Sequence, residues 1–156
     1  MATAGGGVLE TSMTLAVPVP RVFEFFATAE NLEAITPQEL HFHIETPLPI
    51  AMGAGAELDY SLRLWGLPLG WRTLISRWEP PALFVDEQVR GPYRRWVHTH
   101  RFADLGGGCT LIEDHVEYQL PWQPIGAMAR PLVRWQLGRI FRYRQRRVRE
   151  LLEGGG

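Results

Sequence analysis

Two histidines two positions apart are the residues of this sequence best suited to acid–base chemistry. His98 and His100 lie in a segment that begins with Trp96 and ends with Phe102. Residues two apart on a β-strand point to the same face of a sheet, so we expect both imidazoles among aromatic side chains on an inner surface. The ordinary pKa of histidine lies near neutral pH, which suits it to proton transfer.

Asp114 is the carboxylate expected beside this histidine pair. It is the charged residue on an otherwise apolar face of the next predicted strand, and the glycines at 106–108 are expected to form the hairpin turn between the two strands. Antiparallel pairing would set Asp114 opposite His98 or His100, with β-carbons about 5 Å apart. An aspartate in a pocket orients a neighbouring imidazole and raises its pKa.

Three interpretations of this group remain open. In the first, a histidine oriented by Asp114 is a general acid or base for a carbonyl substrate, which makes His98, His100 and Asp114 candidate catalytic residues. In the second, the group hydrogen-bonds a polar atom of a mostly apolar ligand. In the third, it is only a satisfied polar pair, because a buried histidine or aspartate needs a partner whatever its function.

Two further polar pairs are candidates for a site. Asp86 and Gln88 share a face with Phe84, and the alternation does not tell whether that face points inward. If it does, both join the candidate ligand-binding residues. His41 and His43 form a second His-x-His, which is compatible either with zinc ligands or with an exposed strand edge. We expect no bound metal.

Aromatic residues are abundant, with six tryptophans and seven phenylalanines among 156 residues. This abundance is typical of a filled core, and also of an aromatic lining for a flat or greasy ligand. The aromatic residues predicted to contact such a ligand are Tyr60, Trp71, Trp96 and Tyr118.

Hydrophobic periodicity predicts the elements that position these residues. A half-buried strand over 8–17 precedes short helices over 21–27 and 31–35. Six strands separated by Gly- and Pro-rich turns are predicted over 40–45, 56–65, 70–78, 83–89, 95–102 and 110–120. Apolar residues at three- and four-residue steps within 125–152 predict one helix of about 20–25 residues, entered through an irregular turn before Pro131.

This order of elements, β-α-α-β6-α, predicts an α+β fold with a single domain over 8–152. Short connections favour a curved antiparallel sheet of about seven strands, and the long C-terminal helix is the element large enough to cover one face of it. A strongly curved sheet around such a helix leaves a cavity unless large side chains fill it. The glycine-rich ends, 1–7 and 153–156, are expected to be flexible.

Several sequence blocks, taken together, indicate a family. They are Asn31-Leu32, Ile35-Thr36-Pro37, Trp71 to Ile75, Phe84 to Gln88, Gly91-Pro92-Tyr93, Trp96 to Phe102, Asp114, Tyr118 and Leu120-Pro121. With these blocks the chain resembles the START-like superfamily, also called SRPBCC, over about 8–152. The helix-grip fold of that superfamily is shared by the birch-pollen allergen and polyketide cyclases, and the resemblance is greatest to its bacterial ligand-binding branch.

The resemblance implies a pocket for a hydrophobic, lipid- or polyketide-like small molecule between the sheet and the C-terminal helix. A minority of superfamily members catalyse cyclisation or dehydration, so a cyclase/dehydrase-like lyase or isomerase that uses the His–Asp pair is the alternative. We expect no cofactor. One fold of this kind hosts many functions, so the ligand itself is not specified.

The composition excludes several functional classes. All 16 basic side chains are arginine, which excludes Schiff-base chemistry and a P-loop lysine. A single cysteine, Cys109, excludes an internal disulfide and a multi-cysteine zinc site. The sequence has no apolar run of about 18 residues and no recognisable secretory signal. We therefore expect a cytoplasmic protein.

Basic residues are concentrated at the C-terminal end. Residues 1–123 carry 8 arginines against 15 acidic residues, whereas 124–156 carry 8 arginines against Glu150 and Glu153. We expect a solvated helix face that pairs with the acidic body. The alternative is a surface-acting protein whose basic helix contacts an anionic membrane or an acidic partner. The acidic body argues against nucleic-acid binding, and a homodimer is left open.

Overall fold

A computed structural model of the protein describes residues 6–154. The strands are β1 (Gly6–Leu15), β2 (His43–Ile44), β3 (Glu57–Leu64), β4 (Leu67–Glu79), β5 (Leu83–Arg90), β6 (Arg95–Gly106) and β7 (Cys109–Gln119). The helices are α1 (Val19–Ala27), α2 (Asn31–Ala34) and α3 (Ile125–Glu153), with a 3-10 turn at Gln38–Leu40. Of the ends predicted to be flexible, residues 1–5 and 155–156 lie outside the described range.

The seven strands form one antiparallel sheet in the order β1-β7-β6-β5-β4-β3-β2. Strands β2 to β7 follow one another as a meander, and β1 pairs with β7 at the far edge. Gly106, Gly107 and Gly108 all have positive φ at the β6–β7 turn, a conformation that glycine adopts without strain. The predicted α+β fold is therefore confirmed.

Two predicted elements differ from the structure. Helix α3 has 29 residues and includes Pro131, so the predicted irregular turn before this proline is wrong. The helix continues because neighbouring hydrogen bonds and packing outweigh the one bond that proline removes. The strand predicted over 40–45 is reduced to His43–Ile44, since a 3-10 turn and the left-handed His41 take up its first residues.

The core lies between the concave face of the sheet and the helices, in three clusters of apolar side chains. Members that are almost completely buried are Leu15, Val22, Leu58, Ile75, Ile112, Val116 and Val148. Register shifts in the β4–β5 pairing mark bulges, which bend a sheet. The clusters do not merge, and the space between them is the cavity described below. Within residues 6–154, no helix is both long enough and apolar enough to cross a membrane.

Candidate functional site

Two histidines and two aspartates from three neighbouring strands form a buried polar cluster. His98 and His100 come from β6, Asp86 from β5 and Asp114 from β7. Nε2 of His98 lies 2.7 Å from Oδ1 of Asp114, and Nε2 of His100 lies 2.5 Å from Oδ2 of Asp86. The two imidazole rings stack with centroids 3.6 Å apart. We call these four residues the His–Asp cluster.

Asp86 belongs to this cluster because the Phe84 face of β5 points inward. The Phe84 ring stacks on His100 with centroids 4.1 Å apart, and Asp86 follows it on the same face. Gln88 continues that face but reaches the β5–β6 turn instead. Its side-chain amide donates to the carbonyl oxygen of Tyr93 and accepts from the Tyr93 backbone N–H. Gln88 thus shapes the turn and stays outside the cluster.

Burial controls the protonation of this cluster. Burial, followed by the nearby His98, lowers the pKa of His100 to about 4, although the hydrogen bond to Asp86 acts in the opposite direction. The sequence-based expectation of a raised imidazole pKa is therefore wrong for His100, because it left out desolvation. At neutral pH His100 is neutral.

The two carboxyl groups stay ionised despite their burial. Burial acts to raise the pKa of Asp114, but the hydrogen bond with His98 and the charges of His98 and Arg144 hold it below the usual range. The pKa of Asp86 is lowered in the same way, with burial opposed by its hydrogen bond to His100. An ionised carboxylate only accepts hydrogen bonds, so the bonded histidine nitrogens carry the protons. Nδ1 of His100 is then a buried acceptor, and it has no hydrogen-bond partner among residues 6–154.

A cavity of about 200 Å³ lies between the concave face of the sheet, the α1–α2 segment and the middle of α3. Six of the predicted ligand-binding residues line it, namely Tyr60, Trp71, Asp86, Trp96, His98 and His100. Much of the remaining lining is apolar, contributed by leucine, isoleucine and phenylalanine side chains. Burial raises the pKa of the Tyr60 hydroxyl, which therefore stays protonated and able to donate.

The other three predicted ligand-binding residues do not line this cavity. Asp114 lies behind the histidines and reaches the cavity only through His98. Tyr118 is buried against Trp96 and lies so close to Gly7 that a Cβ there would overlap its hydroxyl. Gln88 is occupied at the turn. These residues position others rather than face the cavity.

Arg144 lines the cavity, although the sequence analysis placed it on a solvated basic helix face. Its guanidinium carbon lies 5.5 Å from the ring centroid of Phe26 and 5.7 Å from that of Phe141. The spacing of Leu137, Phe141, Arg144 and Val148 is the signal that was missed. Steps of four, three and four residues put the arginine on the apolar face of α3.

Other helix arginines pair with acidic groups, as the charge pattern predicts. Arg139 pairs with Glu39, and Arg149 with Glu153 at 3.0 Å. Arg147 pairs with Glu150 at 2.6 Å. The contact of this helix with an anionic membrane stays a prediction.

One group of cluster residues has the donor types of a metal site. Ligand atoms of Asp86, His98 and His100 lie within 4.8 Å of one another, and two histidines with one carboxylate suit zinc or iron. A metal would have to displace the hydrogen bond between Asp86 and His100. His41 and His43 lie apart from this group at the exposed β2 edge, where His43 is 3.5 Å from Glu33.

Solved structures share this arrangement of a curved sheet around a long helix. The Zhui aromatase/cyclase from Streptomyces sp. R1128 aligns with a TM-score of 0.77 and 15% identity, over 95% of this chain and 94% of its own. A START superfamily protein from Mycobacterium smegmatis aligns with a TM-score of 0.70 and 12% identity, over 96% and 99%. The protein has the START-like, helix-grip fold. TTHA0849 from Thermus thermophilus has it as well, with a TM-score of 0.73 and 17% identity over 96% and 99%.

The resemblance noted in the sequence is thus confirmed at the level of the START-like fold. No protein-family model matches the chain, and no curated protein is significantly similar to it in sequence. A shared fold does not transfer a function, so the function of this START-like protein has to be argued from its cavity and the His–Asp cluster.

Proposed function

We propose that the protein binds a small hydrophobic molecule in the cavity between its sheet and α3. The observation that carries this proposal is an apolar cavity with a few buried polar groups at one wall, the usual composition of a ligand site. Apolar walls provide affinity, and Asp86 together with the Tyr60 hydroxyl orients a polar atom of the ligand.

The cavity volume limits the size of the ligand. An apolar cavity of about 150 Å³ accepts benzene, so about 200 Å³ suits a compound of one or two rings. This is smaller than the lipid- or polyketide-sized ligand expected from the sequence. Burying roughly 200–300 Å² of apolar ligand surface contributes about 5–7 kcal/mol before the entropy costs of binding.

Native mass spectrometry of the freshly purified protein tests this proposal. We expect a reproducible excess mass that leaves on denaturation, and solvent extraction should release a compound of one or two rings. A matched preparation of Ile140→Trp, which fills the cavity from α3, should carry no excess mass. An excess mass that persists unchanged in Ile140→Trp would contradict binding in this cavity.

A second function, proton abstraction next to a carbonyl, is favoured by the position of Asp86. Its side chain is 19% exposed, lines the cavity and is ionised, whereas Asp114 is hidden behind His98. In a cyclase- or dehydrase-like reaction the α-carbon–hydrogen bond would break, the proton would pass to Asp86, and the enolate would remain. His98 and His100 would then orient the carboxylate, with Asp114 as a positioning residue.

Deuterium exchange at the α-carbon of a cavity-sized ketone such as 1-indanone tests the second function. We expect the protein to accelerate the exchange above the rate in buffer, and Asp86→Asn to abolish the acceleration. The matched variant Glu87→Gln, next to it on the other face of β5, should retain the wild-type rate. Exchange at the buffer rate would exclude this chemistry for ketones of this size.

A further inference from the structure

Arg144 differs from the other arginines of α3 in its surroundings. It lies on the apolar face of the helix, half-buried, between the rings of Phe26 and Phe141. Among the residues that line the cavity it is the one with a permanent positive charge. Its neighbours along the helix, Arg139 and Arg147, both pair with glutamates.

The guanidinium of Arg144 has donors that nothing in the described part of the protein satisfies. No residue between 6 and 154 forms an ion pair with it or accepts a hydrogen bond from it, and its Nε is buried without a partner. An arginine offers five N–H donors in a planar fork, and leaving a buried donor unsatisfied is costly. Aromatic rings can hold the cation in place by cation–π attraction, but they do not replace these hydrogen bonds.

The aspartates near Arg144 are engaged elsewhere. Asp86 accepts from His100, and Asp114 accepts from His98. The charge of Arg144 helps to lower the pKa of both carboxyl groups, so the three groups attract one another over a distance. This attraction keeps the guanidinium at the polar wall of the cavity while its hydrogen-bonding positions stay free.

We infer that the ligand carries a carboxylate, which binds to Arg144 while the hydrocarbon part fills the apolar cavity. The planar guanidinium matches a carboxylate with two parallel hydrogen bonds. With the cavity volume, this defines the ligand class as an aromatic or alicyclic acid of one or two rings. The inference rests on the proposed binding function.

A cationic ligand is the alternative that the two aspartates would suggest. Such a ligand would have to displace the histidines from Asp86 or Asp114, and it would lie beside the positive charge of Arg144. An anion needs neither change, because the guanidinium donors are free. The structure therefore favours a carboxylate over an amine.

Three probes of the same size separate these ligand classes: 1-naphthoate, the neutral 1-naphthalenemethanol and the cationic 1-naphthylmethylamine. Tryptophan fluorescence or calorimetry at about pH 7 gives their affinities for the wild type. We expect naphthoate to bind at least about tenfold more tightly than the alcohol, and the amine to bind most weakly. In Arg144→Gln the affinity for naphthoate should fall to that for the alcohol, while the alcohol binds as before.

The unchanged affinity for the alcohol shows that Arg144→Gln still has a folded cavity. Arg142→Gln is the matched control, because it removes the same charge from an exposed position two residues away. It should bind all three probes like the wild type. Alcohol or amine binding as tight as naphthoate binding would overturn the inference and leave the cavity a binding site. No binding of any probe would overturn both the inference and the proposed function.

Discussion

Asp114 pairs with His100 across the sheet, yet its hydrogen bond goes to His98. Oδ1 of Asp114 lies 2.7 Å from Nε2 of His98 and 3.6 Å from Nδ1 of His100. Asp86 shows the same diagonal arrangement, pairing with His98 in the sheet and bonding to His100. The stacked imidazoles are thus fixed from both sides by carboxylates of the neighbouring strands, which makes the polar wall of the cavity rigid.

Replacing Asp114 should lower stability more than ligand affinity. In Asp114→Asn the charge-assisted hydrogen bond to His98 is lost, and we expect the free energy of unfolding to fall by about 1–3 kcal/mol. The affinity for 1-naphthalenemethanol should change little, since Asp114 does not line the cavity. Urea unfolding and probe titration of the same preparation measure both quantities.

Glu113→Gln is the control for this substitution, because it removes a charge from an exposed neighbour on β7. It should unfold at the same urea concentration as the wild type. A stable Asp114→Asn variant that no longer binds the probe would show a direct role for Asp114 in the ligand site.

Stability should fall as the pH is lowered from about 6.5 to 4. The pKa of His100 is about 4 in the folded protein and 6.5 as a free side chain, so in this range the unfolded chain takes up a proton that the folded protein does not. The loss amounts to about 3 kcal/mol at most. Below this range Asp86 and Asp114 add to it, because their lowered pKa values stabilise the folded state only while they are ionised.

Urea unfolding at about pH 7, 6 and 5 measures this dependence. His100→Gln should flatten it, whereas His115→Gln, which changes a less buried histidine on β7, should retain the wild-type slope. Stability that stays constant or increases on acidification would disagree with a neutral, desolvated His100.

Gln88 should contribute to stability through the β5–β6 turn. Gln88→Leu removes both hydrogen bonds to the backbone of Tyr93, and we expect a loss of about 1–2 kcal/mol in the free energy of unfolding. The exposed neighbour Val89 provides the control substitution Val89→Thr, which should cost less than about 0.5 kcal/mol. Equal stabilities of the two variants, measured by urea unfolding, would show that the turn does not depend on Gln88.

The parts of the site that could be predicted from the sequence are those that follow from alternation along one strand. His98 and His100 share a face because they are two apart on β6, and the glycine turn brings Asp114 alongside them. Asp86 could not be assigned to a face, because Leu83, Phe84 and Val85 are all buried and β5 shows no contrast between its two sides where it begins.

Arg144 was missed for a different physical reason. A positive charge is expected in solvent, and eight arginines in one segment favoured a single basic face. The helical period around Arg144 gave the opposite information, but it was outweighed by this composition. The size of the cavity depends on how three separate clusters pack, which no local pattern contains.

The most direct test of ligand binding is a titration of two tryptophan variants of α3 with 1-naphthalenemethanol. Ile140→Trp fills the cavity, and Leu132→Trp adds the same side chain at an exposed position of the same helix. The account predicts that the wild type and Leu132→Trp bind with similar affinity, and that Ile140→Trp binds at least about tenfold more weakly. Equal binding by Ile140→Trp and Leu132→Trp would contradict a ligand site between the sheet and α3.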